Sequence, residues 1–445
     1  MAAPLTALGE CFYGAFGSVA PCQKLYHRQN LLWRVEGDPH TSTGATLSAT
    51  AEDAAPMTVA HQVLNEEVLS DLAWNVGASS LAAGSWSGNV LIYAVPLENA
   101  QKRKVAPLMA AVDTGAAVLA VAAMDDPGYI CAANGDGDVV VVATEADEAA
   151  LVKLASHDRA ASCVAVPGPN CVVSGSWDGT VVVSDSRLAA SDGRARAAMH
   201  TIDVGTRVYC LDAADDQIVV GGAATASVQC PVYLYDLRRL GEDPAEAGGE
   251  GIGADASLLG FGDLTRTSAA GKIETACRVR NIALSTLGDN VATAVSSTGR
   301  GFVVHLEEIM GDDPTVQLET SFSWKAHRYQ HNGTYHLYAI NSVNYHKSGM
   351  FVTAGDDGTV TVWDHVTKQR MEAFFSPGLE HQGYDCPSAL AAFSSTVSRP
   401  QLAVALTGSI GRGQRYVDGG GVDVGATHSH IAVYEVNDAT LRRRR

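Results

Sequence analysis

The sequence predicts an all-β protein in which short antiparallel strands close into a ring, a seven-bladed β-propeller. Three observations carry this. A cluster of small residues, a polar turn centred on Gly and an alternating Val, Ile or Thr run recur together along the chain. The recurrence comes at about 40 residues, the length of one four-stranded unit. Seven units can be marked off in the 445 residues, starting near 68, 117, 152, 200, 274, 337 and 386.

The clearest copies are "AAGSWSGNVLIYAV" (82–95), "AANGDGDVVVVAT" (132–144), "VSGSWDGTVVVSDS" (173–186) and "TAGDDGTVTVWDH" (353–365). Weaker ones are "VVGGAATASVQCPVYLYDLR" (219–238) and "TAVSSTGRGFVVHLEE" (293–308). The last pairs "LAVALTG" (402–408) with "HIAVYEV" (430–436). Asp-Gly, Ser-Gly and Gly-Asp between alternating runs are hairpin signals, because Gly, Asp and Asn tolerate the positive φ of a tight turn. Upstream of most hairpins lies a further short strand, such as "LSDLAWN", "ASCVAVP", "RVYCLDA" or "AINSVNYH". That makes three visible strands per unit, with the fourth in the variable connection. A lone four-stranded sheet cannot bury its two apolar faces, whereas a closed ring of them buries both. "VWD" (362–364) is the one full WD dipeptide ending a unit, and "VSD" and "LYD" are worn versions, so the ring is of WD-repeat type.

Residues 1–55 lack the period and read as a partly disordered N-terminal extension, with the propeller over 56–438 and a basic tail at 439–445. The alternating "APMTVAHQVL" (55–64) is a candidate for the outer strand that closes the last blade. An acidic, Gly-rich insertion (241–257) reads as a flexible link between the fourth and fifth blades, and 394–429 as a long Gly-rich loop.

Lys and Arg number 31 against 49 Asp and Glu, a net charge of −18. Such a chain repels nucleic acid and anionic membrane overall, so any single-stranded RNA contact must run through a local basic rim. There is no apolar run of 18 residues, hence no membrane span. The start lacks the basic stretch of a secretory signal, although its few acids leave a transit peptide open. The nine cysteines are scattered without a C-x-x-C, and several, as in "RVYCLD", lie inside apolar runs and read as small buried thiols, so a reducing compartment is expected.

No converging catalytic constellation is visible, so the expectation is a non-enzyme with no cofactor and no metal. "GSIGRG" (408–413) lacks the Lys-Ser/Thr of a phosphate loop, and "HSH" (428–430) lacks further metal ligands. The acids of "GDGD" (135–138) and "GDDG" (355–358) sit where hairpin turns want them, and "NGT" (332–334) matters only in a secreted protein.

Binding is the better expectation. Trp86 and Trp177 hold the same place in "GSWSGN" and "GSWDGT", in turns where a large aromatic is unexpected. Each indole either packs over a neighbouring blade or stands as an exposed anchor for a peptide. Between 264 and 300 the basic residues are Arg266, Lys272, Arg278, Arg280 and Arg300 against Glu274 and Asp289, a local balance of 5 − 2 = +3. Strand alternation sets Arg278 and Arg280 on one side, either as solvated charges or as a clamp for a carboxylate or phosphate. Arg207 and Arg328 flank neighbouring blades and could share that rim.

"ASHDRAASCVAVPGPNCVVSGSWDGTVVVSDSR" (155–187), "TRVYCLDAADDQIVVGGA" (206–223) and the stretch from "WKAHR" to "RMEAF" (324–374) resemble the nuclear-pore mRNA export factors, the poly(A)+ RNA export proteins. They are similar also to the related mitotic checkpoint propellers of the kinetochore. The resemblance covers roughly residues 60–436. It implies a propeller whose top face holds a GLEBS-type segment of a nucleoporin, or of a checkpoint kinase in the second branch, where a phosphorylated kinetochore motif is read too. It further implies that Arg278, in "IETACRVRN", and Arg207 meet partner acids, and that Trp86 and Trp177 occupy matching turns. The implied location is the nucleus and nuclear pore, with cytoplasm, or the kinetochore for the checkpoint branch, and a ring that is itself monomeric. "SHDRA", "RVYCLD" and "HNGT" lean to the export branch and "LYDLRRL" to the checkpoint branch.

Overall fold

Each repeat folds into one four-stranded antiparallel sheet whose strands, a to d, follow chain order. In the third, strand a (Ala161–Gly168) pairs with b (Cys171–Ser176), b with c (Thr180–Asp185) and c with d (Ala198–Asp203). The β-branched run of strand c suits a pleated strand, and Val181, Val182 and Val183 are all buried because neighbouring sheets cover both faces. Gly179 ends the b–c turn: its N–H reaches the Ser176 carbonyl at 3.1 Å, and its φ of 95° is one that a Cβ would resist.

The computed structural model describes residues 31–35, 68–75, 77, 80–95, 108–144, 151–188, 198–223, 231–240, 257–260, 278–306, 322–331, 334–375, 388–394, 401–407 and 429–435. Six sheets run over 69–113, 118–156, 161–203, 208–260, 279–325 and 340–375. The seventh combines Ser388–Phe393, Gln401–Thr407, His430–Glu435 and Leu31–Val35. A small extra hairpin, Arg328–His331 with Thr334–Leu337, stands between the fifth and sixth.

Apolar clusters join each sheet to the next all the way round. Leu69, Leu72 and Trp74 of blade 1 pack with Leu390, Ala403 and Ile431 of blade 7, which closes the circle. Burying one such side chain contributes about 1.5–3 kcal/mol, so the interfaces supply what a single blade lacks. The small residues before each turn have a packing reason. A Cβ on Gly175 would lie 2.6 Å from the Val208 side chain of the next blade; Gly84 and Gly221 meet Val118 and Val279 in the same way at 2.8 Å.

Polar side chains lace the inner strands together. The Asp71 carboxylate accepts the Val121 N–H of blade 2 at 3.0 Å, and that of Asp212 accepts the Leu284 N–H of blade 5 at 2.7 Å. Ser342 and Asn344 of blade 6 accept the Ala391 and Phe393 N–H groups of blade 7. Trp74 Nε1 donates to the Ala392 carbonyl at 2.9 Å, tying blade 1 back to blade 7.

Several boundaries differ from the sequence expectation. Leu151–Ser156 and Ala198–Asp203 close blades 2 and 3 as outer strands, so the units marked from 152 and 200 begin instead at Ala161 and Val208. Outer strands such as Leu151–Ser156 and Ala198–Asp203 are mostly not buried and mix polar with apolar residues, which hides the seam between one repeat and the next. Gln401–Thr407, inside the expected loop 394–429, is strand b of blade 7 and wholly buried. Ser257, at the end of the expected link 241–257, begins the outer strand of blade 4. The outer strand of blade 7 is Leu31–Val35, from within the stretch read as an extension, paired with His430–Glu435. The alternative closing segment 55–64 lies outside the described residues, as do 241–256, 408–428 and 436–445. Among the described residues no helix is long and apolar enough to cross a membrane.

Candidate functional site

One end of the ring gathers the b–c turns and the loops that enter each strand a. In six blades the first N–H of the turn bonds to the carbonyl just before strand a: Trp86 to Val68, Gly135 to Ala117, Trp177 to Ala160, Ala223 to Arg207, Ser297 to Arg278 and Asp356 to Ala339, at 2.8 to 3.0 Å. Trp86 and Trp177 therefore hold one structural position in blades 1 and 3. Arg207 and Arg278 hold another in blades 4 and 5, at the same end of the ring.

The inner strands share a second device. In the same six blades the a–b register slips by one residue after the first pair, between Leu69 and Asp71, Val118 and Ala120, Ala161 and Cys163, Val208 and Cys210, Val279 and Asn281, and Ile340 and Ser342. Such a bulge re-aims the extra side chain. Here the extra residues Ser70, Leu119, Ser162, Tyr209, Arg280 and Asn341 all line one central cavity of about 550 Å³.

The structure brings four of the six expected site residues to that cavity: Trp86, Trp177, Arg278 and Arg280. The indoles are 43 % and 38 % exposed, so each rests partly on the ring and offers the remainder outward. Arg278 is exposed and Arg280 half-buried. Arg207 is exposed at the same end but outside the cavity lining. Arg328 opens the extra hairpin, opposite Leu337. Among the described residues, Arg207, Arg278 and Arg280 form no ion pair with a carboxylate. The structure thus groups two indoles with two arginines that have no carboxylate ion pair among the described residues, around a cavity that Asp71 and Asp212 also line.

Sequence reasoning passed over the residues that stiffen this end. In blade 3, His157 faces the Ser174 hydroxyl at 2.8 Å and the Thr180 hydroxyl at 3.0 Å, while Asp178 accepts the Thr180 N–H and hydroxyl at 2.8 and 2.7 Å. Burial holds the His157 pKa below its ordinary value, against the pull of Asp178. Blade 6 repeats the pattern: His327 joins Asp357 at 2.8 Å and Thr353 at 3.0 Å, and Trp363 Nε1 donates to the same Thr353 hydroxyl at 2.8 Å. Both networks fasten the entry loop to the b–c turn, and so fix the turns that carry Trp177 and Asp356. The signal was a Ser or Thr four residues before Asp with a His upstream, in both copies. Asp357, read from sequence as a turn acid, is a member of this lock.

Deeper in the channel, burial pushes Asp71 and Asp212 up to about 6, although each accepts backbone N–H bonds from two residues. Burial likewise pushes the Cys131 and Cys163 thiols up to about 12, far from the thiolate a nucleophile requires. Among the described residues no three His, Cys, Asp or Glu side chains gather as metal ligands would. "GSIGRG" (408–413) and His428 lie outside the described residues.

Repeating four-stranded sheets and the ring they close define the fold class, a β-propeller with WD40 repeats. The family described as WD domain, G-beta repeat matches residues 150–185, from the outer strand of blade 2 through strand c of blade 3, and 328–364, from the extra hairpin through strand c of blade 6. Over 329 residues the chain is 26 % identical to the "Poly(A)+ RNA export protein" of Schizosaccharomyces pombe, spanning 70 % of this chain and 76 % of that one. It is 24 % identical over 326 residues to the "mRNA export factor GLE2" of Chaetomium thermophilum, with the same coverage of 70 % and 76 %. The "Mitotic checkpoint protein bub-3" of Caenorhabditis elegans is 26 % identical over 298 residues, 66 % of this chain and 73 % of the relative.

Proposed function

We propose that this propeller is a non-enzymatic adaptor that lays a GLEBS-type, acidic segment of a nucleoporin across the turn-bearing end of the ring and so supports nuclear mRNA export. One observation carries the reading: two half-exposed indoles and two arginines with no carboxylate ion pair among the described residues surround a single cavity. Aromatic anchors and guanidinium groups are the residues that dominate peptide interfaces, and a local positive field steers an acidic partner toward a chain that otherwise repels it. Two of the relatives above are named for RNA export, which supports the choice of partner class.

The experiment is a fluorescence-anisotropy titration of the full chain with a labelled GLEBS-type nucleoporin peptide, at two salt concentrations. Saturable binding that weakens with salt is expected; absence of binding would overturn the reading. A second reading, a scaffold for checkpoint kinases at the kinetochore, draws on the equal identity to the bub-3 relative. Imaging of the tagged protein separates the two: a nuclear rim in interphase supports export, and foci on unattached mitotic chromosomes support the checkpoint.

A further inference from the structure

Arg280 is held by a relay, and the relay has a chemical consequence. Its Nη2 donates to Asn341 Oδ1 at 3.0 Å, and Asn341 Nδ2 donates to Asp356 Oδ1 at 2.7 Å. Arg280 and Asn341 are the bulge residues of blades 5 and 6, so equivalent positions of neighbouring blades meet at the channel wall. Asp356 occupies the turn position that blades 1 and 3 give to Trp86 and Trp177. Asn341 is only 7 % exposed, and its own carbonyl accepts Asn281 Nδ2 at 3.4 Å. The amide is therefore clamped at both ends and from its backbone.

A carboxylate in place of that amide would grip the guanidinium with two hydrogen bonds and cancel its charge. The amide oxygen takes one N–H and no charge. Among the described residues the other N–H groups of Arg280 make no bond, so they remain for an incoming anion. The negative charge of Asp356 fixes the amide but stands one side chain further away. Arg207 and Arg278 have no side-chain hold of this kind among the described residues.

We propose that Asn341 and Asp356 are positioning residues that keep Arg280 aimed across the channel mouth, ready for an acidic side chain of the bound peptide; this rests on the peptide-binding reading above. Ordering a long side chain in advance lowers the entropy lost on binding, and removing the hold should weaken affinity about tenfold.

The test uses the full chain and the labelled GLEBS-type peptide. Asn341→Ala should raise the Kd about tenfold, with no further loss when added to Arg280→Ala, and with the thermal midpoint kept within a few degrees. Asp356 supplies the sharper comparison. Asp356→Asn keeps an oxygen for Asn341 Nδ2 and should bind at least as tightly as the wild type. Asp356→Ala removes the acceptor and should bind more weakly, although both variants delete the same charge. If both tighten binding equally, the residue acts only through its field and the proposal is overturned. A second arm needs no peptide. In arginine-selective NMR, the Arg280 Nε–Hε signal should be distinct in the wild type and in Asp356→Asn, and should merge with the exposed arginines in Asn341→Ala and Asp356→Ala. A signal already merged in the wild type, or unmoved in the variants, overturns the positioning. Should the peptide fail to bind the wild type, the adaptor reading falls, and this arm still decides the claim about Arg280.

Discussion

Truncating Trp177 tests whether its exposed edge is a binding surface, and the structure fixes the size of the effect. A tryptophan presents about 250 Å² in all, and Trp177 leaves 38 % of its surface open. A peptide that covers the indole removes about 95 Å² more from water, worth about 2.4 kcal/mol at 25 cal/mol per Å². Trp177→Ala should therefore raise the Kd of the GLEBS-type peptide roughly fiftyfold. Trp86, at the equivalent turn and 43 % exposed, should behave alike. Both indoles also rest on the ring, so truncation has a folding cost, read separately as a fall of several degrees in the thermal midpoint. Trp177→Phe keeps part of the aromatic face and should lose much less binding than Trp177→Ala. Anisotropy at 25 °C on protein shown to be folded by circular dichroism gives the answer. A Kd within twofold of the wild type for Trp177→Ala would mean that the indole only covers the turn beneath it.

Other outcomes follow from the same geometry. Arg278→Glu places a like charge against an acidic partner, which costs several kcal/mol; binding should drop at least a hundredfold with the thermal midpoint unchanged, and a collapse of the midpoint would make Arg278 structural. Thr353→Val removes the hydroxyl that serves both His327 and Trp363 Nε1 and strands a buried imidazole nitrogen and a part-buried indole N–H, for about 2 kcal/mol of stability; a midpoint equal to wild type would refute the lock. Asp212 titrates near 6 in the fold against an ordinary 3.8, so the fold favours its protonated form. That contribution is complete below 3.8 and is lost as pH rises through 6. Between pH 7 and pH 5 the wild type should gain about 1 kcal/mol over Asp212→Asn, read from denaturant unfolding, and a pH-independent difference would contradict it.

What the sequence disclosed depended on whether the determining residues leave a periodic mark. Strands b and c are buried on both faces, as in Val172–Val173 and Val181–Val183, and their apolar runs around a Gly turn stand out in any copy. Outer strands such as Ala198–Asp203 are mostly exposed and carry no such run, which is why two unit boundaries came out early. The inner-strand bulges left no trace at all, because one extra residue in a register alters no composition. Alternation was enough to bring Arg278 and Arg280 together on paper; only the bulge explains why Arg280 enters the channel and meets Asn341. The His locks were half legible. The extra hairpin stretches the His-to-Asp separation from 178 − 157 = 21 residues in blade 3 to 357 − 327 = 30 in blade 6, which disguises the second copy.

The turn-bearing end is suited to recognition because its backbone and its side chains answer to different demands. In six blades one N–H···O=C bond fixes the first residue of the b–c turn, and it uses no side-chain atom. That position is consequently free to carry Trp86, Gly135, Trp177, Ala223, Ser297 or Asp356 without loss of the ring. The bulge frees the neighbouring position in the same manner, giving Ser70, Leu119, Ser162, Tyr209, Arg280 and Asn341. Together with the residue before strand a, which is Arg207 in blade 4 and Arg278 in blade 5, these two circles let a single fold present indoles at blades 1 and 3 and guanidinium groups at blades 4 and 5, on a scaffold stiffened by the His locks. A peptide bound as proposed, straight across the channel, would meet both sides at once, which would tie its orientation to the placing of its acidic and apolar residues.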